Sequence, residues 1–285
     1  MVATTVSDPY RQLSRTVGML ALTMAAAAAL GPVLLNLMHY RTSPTTLNQL
    51  IGSDTATLYV IAPLGALAAA ACHRRHPAGA LLASGVGVFA TYTYAQIIIG
   101  QEYLRLPGNV ERFFPLLLTV FVLAWTTVVL AWRATPPHLP QLTPRLRHTT
   151  GAALLLLSAF LVLGLHLPTM LTAWTDPTSL TEYASSPTPF WTVKLMDLGI
   201  IAPVALATGI GLLRHAGWAQ RLAYPLLTGY AALGVSITAM AVVMTAKSDP
   251  DASPALAAGF LGFTAALTAL TVALYRPLLT PERTT

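Results

Sequence analysis

The chain is a series of long apolar runs separated by short polar segments. A bilayer core needs about 20 consecutive apolar residues per helix, and by that measure the sequence predicts eight membrane spans. The predicted spans are Val17–Met38, Thr55–Cys72, Gly79–Gly100, Phe113–Trp132, Gly151–Trp174, Phe190–Leu213, Leu222–Ala246 and Pro254–Tyr275. The runs do not alternate as strands do, and no connection is long enough for a soluble domain. We therefore predict an all-α integral membrane protein with eight transmembrane helices.

The composition agrees with this class. Of the 285 residues, 55% are hydrophobic and only 9% are charged, with a mean hydropathy of +0.63. Soluble domains carry about 25% charged residues. The net charge of +6 comes from basic residues in short loops, which is typical of membrane topology and not of nucleic acid binding. The predicted partner is the lipid bilayer, and no nucleic acid is expected.

The basic residues also predict an orientation. If the N-terminus is cytoplasmic, eleven of the sixteen Lys and Arg residues fall on the cytoplasmic side, four on the opposite side and Lys194 in the membrane. The positive-inside rule then places both termini in the cytoplasm and the protein in the cell membrane. An alternative is that the first span is a signal peptide, because Arg11 and Arg15 precede it. Its apolar run is longer than such peptides usually have.

Sequence matches predict that the chain is a duplicated four-helix unit. The matched pairs, in chain order, are Leu30-Gly31 with Leu163-Gly164, Pro44-Thr45-Thr46-Leu47 with Pro177-Thr178-Ser179-Leu180, Ile61-Ala62-Pro63 with Ile201-Ala202-Pro203, and Arg74 with Arg214. The first two pairs share one offset along the chain, and the last two share a slightly larger one, because the loop before the sixth span is longer. Four spans per half would make the repeats parallel, with an axis along the membrane normal. Chance matching in a Leu/Ala-rich chain is the alternative.

This duplication divides the chain into five segments. They are a cytoplasmic tail (1–16), a first membrane half (17–132), a cytoplasmic linker (133–150), a second membrane half (151–276) and a C-terminal tail (277–285). Pro63 and Pro203 occupy equivalent positions in the middle of their spans, where proline kinks a helix. Matched broken helices point to a transporter binding site. Proline is also common in membrane helices without any such role.

A layer of polar residues within the spans supplies the candidate site. Lys194 and Asp197 are the only charged residues inside the predicted spans, and an ionisable residue at that depth is a functional-site hypothesis. At about 1.5 Å of rise per residue, Asp197, His166 and Tyr92 lie roughly 10–12 Å from the outer surface. The candidate ligand-binding residues are Asp197, Lys194, His166, Tyr92, Gln96 and Glu102. Further polar residues of this layer and of the outer mouth are Asn36, His39, Tyr40, Ser236 and Thr238. Together they predict a polar pocket that opens to the outside above an apolar floor.

Simpler interpretations of the same residues remain open. Lys194 and Asp197 lie three residues apart on one helix face and could neutralise each other. His166 could be a hydrogen-bonded histidine that only packs helices, since polar pairs between membrane helices need no ligand. Glu102 and Glu111 are expected to be solvated loop acids.

Several classes of activity lack their sequence motifs. The chain has no GxxxxGK[ST] or GxGxxG nucleotide loop, no HExxH zinc motif and no GxSxG nucleophile elbow. Cys72 stands beside two histidines and two arginines, and the arginines disfavour a metal cation there. We therefore predict no cofactor and no metal site.

Two segments resemble an uncharacterised family of prokaryotic multi-pass membrane proteins. The first is Tyr92-Thr93-Tyr94-Ala95 followed by Gly100, and the second runs from Lys194–Pro203 through Leu212-Leu213-Arg214 to Pro225-Leu226-Leu227. The resemblance covers most of spans two to eight and implies that the helix with Asp197 is the signature helix of the family. It implies no activity, substrate or cofactor. The chain departs from the family pattern at Arg214-His215-Ala216-Gly217-Trp218, which has a single arginine before the turn.

Three functions are consistent with these features. The first is a binding or transport protein for a small apolar or amphipathic ligand, with a pocket between the two halves. The second is a membrane-embedded enzyme for an isoprenoid or lipid-like substrate, in which Asp197 is the acid and His166 or Tyr92 its partner. The third is a non-catalytic membrane subunit whose polar residues pack helices. We favour the first.

Overall fold

The computed structural model describes residues 8–137 and 139–279. Within these residues the secondary structure is helical and contains no strand. Eight helices are long and apolar enough to cross a membrane, so the predicted number of spans is confirmed. They are α1 (Pro9–Val33), α2 (Pro44–His73), α3 (Pro77–Ile99), α4 (Val110–Ala134), α5 (Pro144–Thr175), α6 (Pro187–Leu213), α7 (Gly217–Ala246) and α8 (Pro254–Leu279). Residues 1–7 and 280–285 of the predicted tails, and residue 138 of the predicted linker, lie outside the described residues.

Several helix ends differ from the predicted spans, and two of them have a clear local cause. Helix α2 begins at Pro44, well before the predicted Thr55, because the Ser43 side chain caps it by accepting a hydrogen bond from the backbone of Thr46. Helix α1 ends at Val33 instead of Met38. Gly31 leaves the helical conformation at ψ −168°, and Pro32 has no N–H to continue the helix.

Four π-helical turns interrupt the helices, each at or just before a proline. The turns and their prolines are Ala29–Val33 with Pro32, Thr57–Ile61 with Pro63, Phe160–His166 with Pro168, and Asp197–Ile201 with Pro203. Proline clashes with the carbonyl one turn before it, and a widened turn relieves that clash. Side chains of neighbouring helices bind two of the carbonyls around Pro203. Tyr230 Oη donates to the carbonyl of Ile201 at 3.1 Å, and Ser158 Oγ to that of Ala202 at 2.9 Å.

The two halves of the bundle meet along α3 and α7. A Cβ added to Gly85 of α3 would lie 2.3 Å from Thr228 Cβ, and one added to Gly229 of α7 would lie 2.9 Å from Val88 Cγ1. Small residues allow this close approach of two membrane helices. One apolar cluster is built mainly by α5–α8, and another by α1–α4. The interface between these clusters brings α3 next to α6.

At the predicted outer end, Asp249 joins the loop between α7 and α8 to α2. Its carboxylate accepts hydrogen bonds from Asn48 Nδ2 at 2.6 Å and from Thr45 Oγ1 at 3.2 Å. Burial by itself raises the pKa of Asp249. The bonds from Asn48, the Asp251 backbone and Thr45 outweigh burial, so the pKa lies below the ordinary value of 3.8.

We expect this carboxylate to stabilise the fold at neutral pH but not in acid. A carboxyl group with a lowered pKa in the folded state contributes stability above its unfolded pKa, and loses it as the pH falls through the folded value. The melting temperature of the wild type should therefore drop below about pH 4, and that of Asp249→Asn should drop less. Thermal unfolding in detergent measures both. Asp251→Asn is the control, and if all three proteins respond alike, Asp249 does not have this role.

Candidate functional site

Asp197 is hydrogen-bonded by two other helices inside the bundle. Tyr92 Oη of α3 donates to Asp197 Oδ1 at 2.5 Å, and His166 Nε2 of α5 lies 2.7 Å from Asp197 Oδ2. His166 and Asp197 are both buried, with 3% and 7% of their surfaces exposed. The three residues that the sequence placed at one depth are therefore in direct contact.

Local backbone geometry positions two members of this group. Asp197 is the first residue of the π turn in α6, and His166 is the last residue of the π turn in α5. Each turn closely precedes a proline, Pro203 or Pro168. Prolines thus widen both helices at the residues that form the pair, and π turns inside helices are frequent at functional sites. Tyr92 approaches from α3, which has no such turn.

The Asp197–His166 pair can carry one exchangeable proton. An ionised Asp197 beside a protonated His166, and a protonated Asp197 beside a neutral His166, have the same net charge of zero. The proton can therefore move between Nε2 and Oδ2 without leaving a net charge in the apolar interior, where an unpaired charge is costly. Tyr92 holds the other carboxylate oxygen in place.

Lys194 does not pair with Asp197. Its Nζ lies 3.2 Å from the centroid of the Phe190 ring, one helical turn earlier in α6, which is a cation–π contact. None of the ion pairs among the described residues includes Lys194. The interpretation that Lys194 and Asp197 neutralise each other is therefore wrong, and His166 is the partner of Asp197.

Gln96 lies one helical turn after Tyr92 on α3. Its side-chain amide is near the Tyr92 hydroxyl, but its buried Nε2 makes no hydrogen bond of normal geometry. Leaving a buried donor unsatisfied costs about 1–3 kcal/mol. An acceptor group on a ligand would satisfy this amide.

Glu102 is not a solvated loop acid, because only 3% of its surface is exposed. Its Oε1 accepts a hydrogen bond from the Thr188 backbone at 2.8 Å, in the first turn of α6, and its Oε2 lies 3.3 Å from Arg105 Nη1. An acid at a helix start satisfies free N–H groups and the helix dipole. Glu102 therefore anchors α6. Glu111 is exposed, as expected, and pairs with Arg41 at 2.5 Å.

Other polar residues of the predicted layer have partners elsewhere. Ser236 Oγ donates to Ser53 Oγ at 2.9 Å, and Thr238 Oγ1 lies 3.0 Å from Thr264 Oγ1. His39 Nε2 lies 2.9 Å from the carbonyl of Asn36 in the loop after α1. These residues are not hydrogen-bonded to the Asp197 group.

Asp54 is a buried acid that the predicted spans left in a loop. Asp54 lies inside α2, and only 3% of its surface is exposed. Lys194 and Asp197 are therefore not the only ionisable residues buried within the spans. The predicted span began at Thr55 because Thr45, Asn48 and Ser53 reduce the hydropathy before it. Ser43-Pro44, a favoured start of a helix, was the signal that could have extended the span.

Two of the surface grooves among the described residues do not include the Asp197 group. One of about 430 Å³ is lined by Pro187, Thr188, Trp191, Thr192 and Leu195 of α6, and the other lies along α8. In this structure the Asp197 group is closed, so an outward-facing pocket stays a prediction. No group of three His, Cys, Asp or Glu residues that could hold a metal occurs in the described ranges.

No family model, no curated protein and no solved structure matches this chain. The resemblance of Tyr92–Gly100 and Lys194–Leu227 to an uncharacterised membrane family thus rests on those motifs alone. The chain is a polytopic membrane protein by its eight apolar helices. Its specific function has to be argued from the site.

Proposed function

We propose that the protein binds, and moves across the cell membrane, a small apolar or amphipathic molecule at the Asp197 group. The observation that carries this proposal is that Asp197 accepts a hydrogen bond from Tyr92 of the first half and is hydrogen-bonded to His166 of the second. A contact that bridges the two halves breaks when they move apart. Substrate sites of transporters commonly lie at such a repeat interface, on broken helices.

Matching backbone features in α2 and α6 support a parallel duplication as part of this proposal. The π turn Thr57–Ile61 in α2 is followed by Pro63. The π turn Asp197–Ile201 in α6 is followed by Pro203 at the same spacing. Directly after these helices, Arg75 and His215 both have a positive φ, 55° and 60°, and their N–H groups bond to the carbonyls of Cys72 and Leu212.

The predicted match of Pro44 with Pro177 does not extend to structure. Pro44 begins α2, whereas Pro177 begins a short 3-10 turn in the loop before α6. The support for a duplication therefore comes from the second and sixth helices and the turns that follow them.

The ligand would form hydrogen bonds with polar groups of the closed site. Gln96 Nε2 offers a free donor, and the Asp197–His166 pair offers either a carboxylate or a proton. A positive or hydrogen-bonding head group fits these residues, with an apolar body against the surrounding helices. In the proposed transport cycle, with both termini in the cytoplasm, the closed site opens to the outside.

The first test is thermal unfolding of the purified protein in detergent at pH 5 and pH 8, for the wild type and Asp197→Asn. Asp197→Asn should melt below the wild type at both pH values, because its amide replaces the carboxylate that faces His166. Short-chain carboxylates, amino acids and quaternary amines are then added as probes. A class of probe that binds at the site should raise the melting temperature of the wild type. It should not raise the melting temperature of Asp197→Asn.

Ser236→Ala is the matched control, because it removes a buried hydrogen bond outside the site. It should keep the probe response of the wild type. If no probe class raises the melting temperature of the wild type more than that of Asp197→Asn, Asp197 only packs helices. The protein would then be the non-catalytic subunit considered above.

The second candidate is a membrane-embedded enzyme for a lipid-like substrate. It is favoured by the apolar groove on α6, whose residue Leu195 is two positions from Asp197. In this function Asp197 would donate a proton to the substrate, with His166 as its proton source. Asp197→Asn would then abolish product formation from an isoprenoid or lipid extract, whereas transport consumes no substrate.

A further inference from the structure

We propose that Asp54 and Tyr40 form a proton-binding site in the first half of the bundle, in which Asp54 is a neutral carboxylic acid at pH 7. Tyr40 Oη lies 2.9 Å from Asp54 Oδ2. The side chains of both residues are buried, with 3% of the surface of Asp54 and 5% of that of Tyr40 exposed. This site is separate from the Asp197 group and does not rest on the proposed function.

Asp54 has no charged partner among the described residues, because no described Lys, Arg or His forms an ion pair with it. An isolated ionised carboxylate inside an apolar interior is so costly that the group takes up a proton instead. Asp197 avoids this cost by facing His166 at 2.7 Å. Asp54 and Asp197 are therefore in different charge environments.

The groups that face Asp54 supply no compensating charge. The π turn Ala29–Val33 of α1 contains no titratable residue, and α7 contributes Ser236, which bonds to Ser53. Tyr94 of α3 is close enough to interact with Asp54 electrostatically, but its hydroxyl donates to the carbonyl of Met24 at 3.3 Å. Among the described residues, Tyr40 is the one direct side-chain partner.

Tyr40 is a hydrogen-bond partner and not a base. Burial, with Asp54 and Tyr94 nearby, raises the pKa of Tyr40 well above its ordinary value of 10.0. Its hydroxyl therefore stays protonated across the physiological range. Tyr40 belongs to the segment between α1 and α2, so it connects the buried acid to the predicted outer end of the bundle.

Backbone geometry preserves the small space around this acid. A Cβ added to Gly31 would lie 2.8 Å from Asp54 Oδ2 and 3.6 Å from Tyr40 Oη. Gly31 is also where α1 leaves the helical conformation. The break in α1 thus places bare backbone against the carboxyl group.

Infrared spectroscopy of the full chain tests the proposal. The protein carries isotope-labelled aspartate and is held in a detergent without carbonyl groups, at pH 7. The wild type should show the C=O stretching band of a protonated aspartic acid. Asp197→Asn should keep the band, and adding Asp54→Asn to that variant should remove it. Because asparagine is a neutral isostere that still accepts from Tyr40, Asp54→Asn should melt within a few degrees of the wild type.

Three results would overturn the proposal. They are a wild type without the band, a band that disappears in Asp197→Asn, and a melting temperature that rises with added sodium or potassium in the wild type but not in Asp54→Asn. The last result would identify Asp54 as an ionised ligand of a metal cation. Should Asp54→Asn fail to fold, the wild type and Asp197→Asn spectra still decide, because they show whether a protonated aspartate other than Asp197 exists.

Discussion

Asp197→Ala is expected to lower the free energy of unfolding by about 3–5 kcal/mol, the usual cost of removing one partner from a buried ion pair. The change leaves His166 Nε2 and Tyr92 Oη without the acceptor that they share. Both groups lie between helices, where water cannot replace the carboxylate. Equilibrium unfolding of the reconstituted protein measures the loss.

Asp197→Asn should cost less, about 1–2 kcal/mol. Its Oδ1 still accepts from Tyr92, and a change of tautomer allows His166 Nε2 to accept from the amide. Leu195→Ala is the control, because Leu195 is 66% exposed on the same helix, and it should have little effect. Equal losses for alanine and asparagine would contradict a role for the hydrogen bonds and leave only the change in packing.

Gly52→Ala is expected to destabilise the fold by about 3 kcal/mol, at the upper end of the usual cost of overpacking. The added Cβ would lie 2.4 Å from both the Cα and the N of Met240, and 2.6 Å from the carbonyl carbon of Ala239. These are backbone atoms of α7, which cannot rotate away as a side chain can. Helices α2 and α7 would have to separate.

Gly262→Ala is the matched control for this prediction. No atom lies within 4 Å of a Cβ added there, so the change should be neutral or should stabilise α8 by up to about 1 kcal/mol through helix propensity. The measurement is again equilibrium unfolding of both variants beside the wild type. Equal effects at the two glycines would show that α2 and α7 do not pack as closely as the structure has them.

The contact of Asp197 with His166 and Tyr92 could be predicted from the sequence. A carboxyl group, an imidazole and a phenol at one estimated depth are enough to predict a meeting, because helices in a bundle run nearly parallel and residues at equal depth face one another. The partner of Lys194 was not predictable. Spacing along α6 allows contact with either Asp197 or Phe190, and only the side-chain direction distinguishes the two.

Asp54 and Glu102 show why these buried acids were not predicted from hydropathy. Hydropathy averages over about twenty residues, so the polar first turns of α2 hid the true start of the helix and left Asp54 in a loop. The burial of Glu102 was hidden in the same way, since it depends on the first turn of α6, a helix that is distant in sequence. Capping signals such as Ser43-Pro44 carry information that hydropathy discards.

The sequence by itself determined that this is an eight-helix membrane protein, because the apolar length needed to cross a bilayer is a local property of each run. It also determined where helices are disturbed, since proline acts on its own backbone. Only the tertiary structure decided that His166 and not Lys194 faces Asp197, that Asp54 is buried without a cation, and that Gly52 touches α7. These contacts depend on how each helix is rotated against its neighbours, which no single segment of the chain specifies.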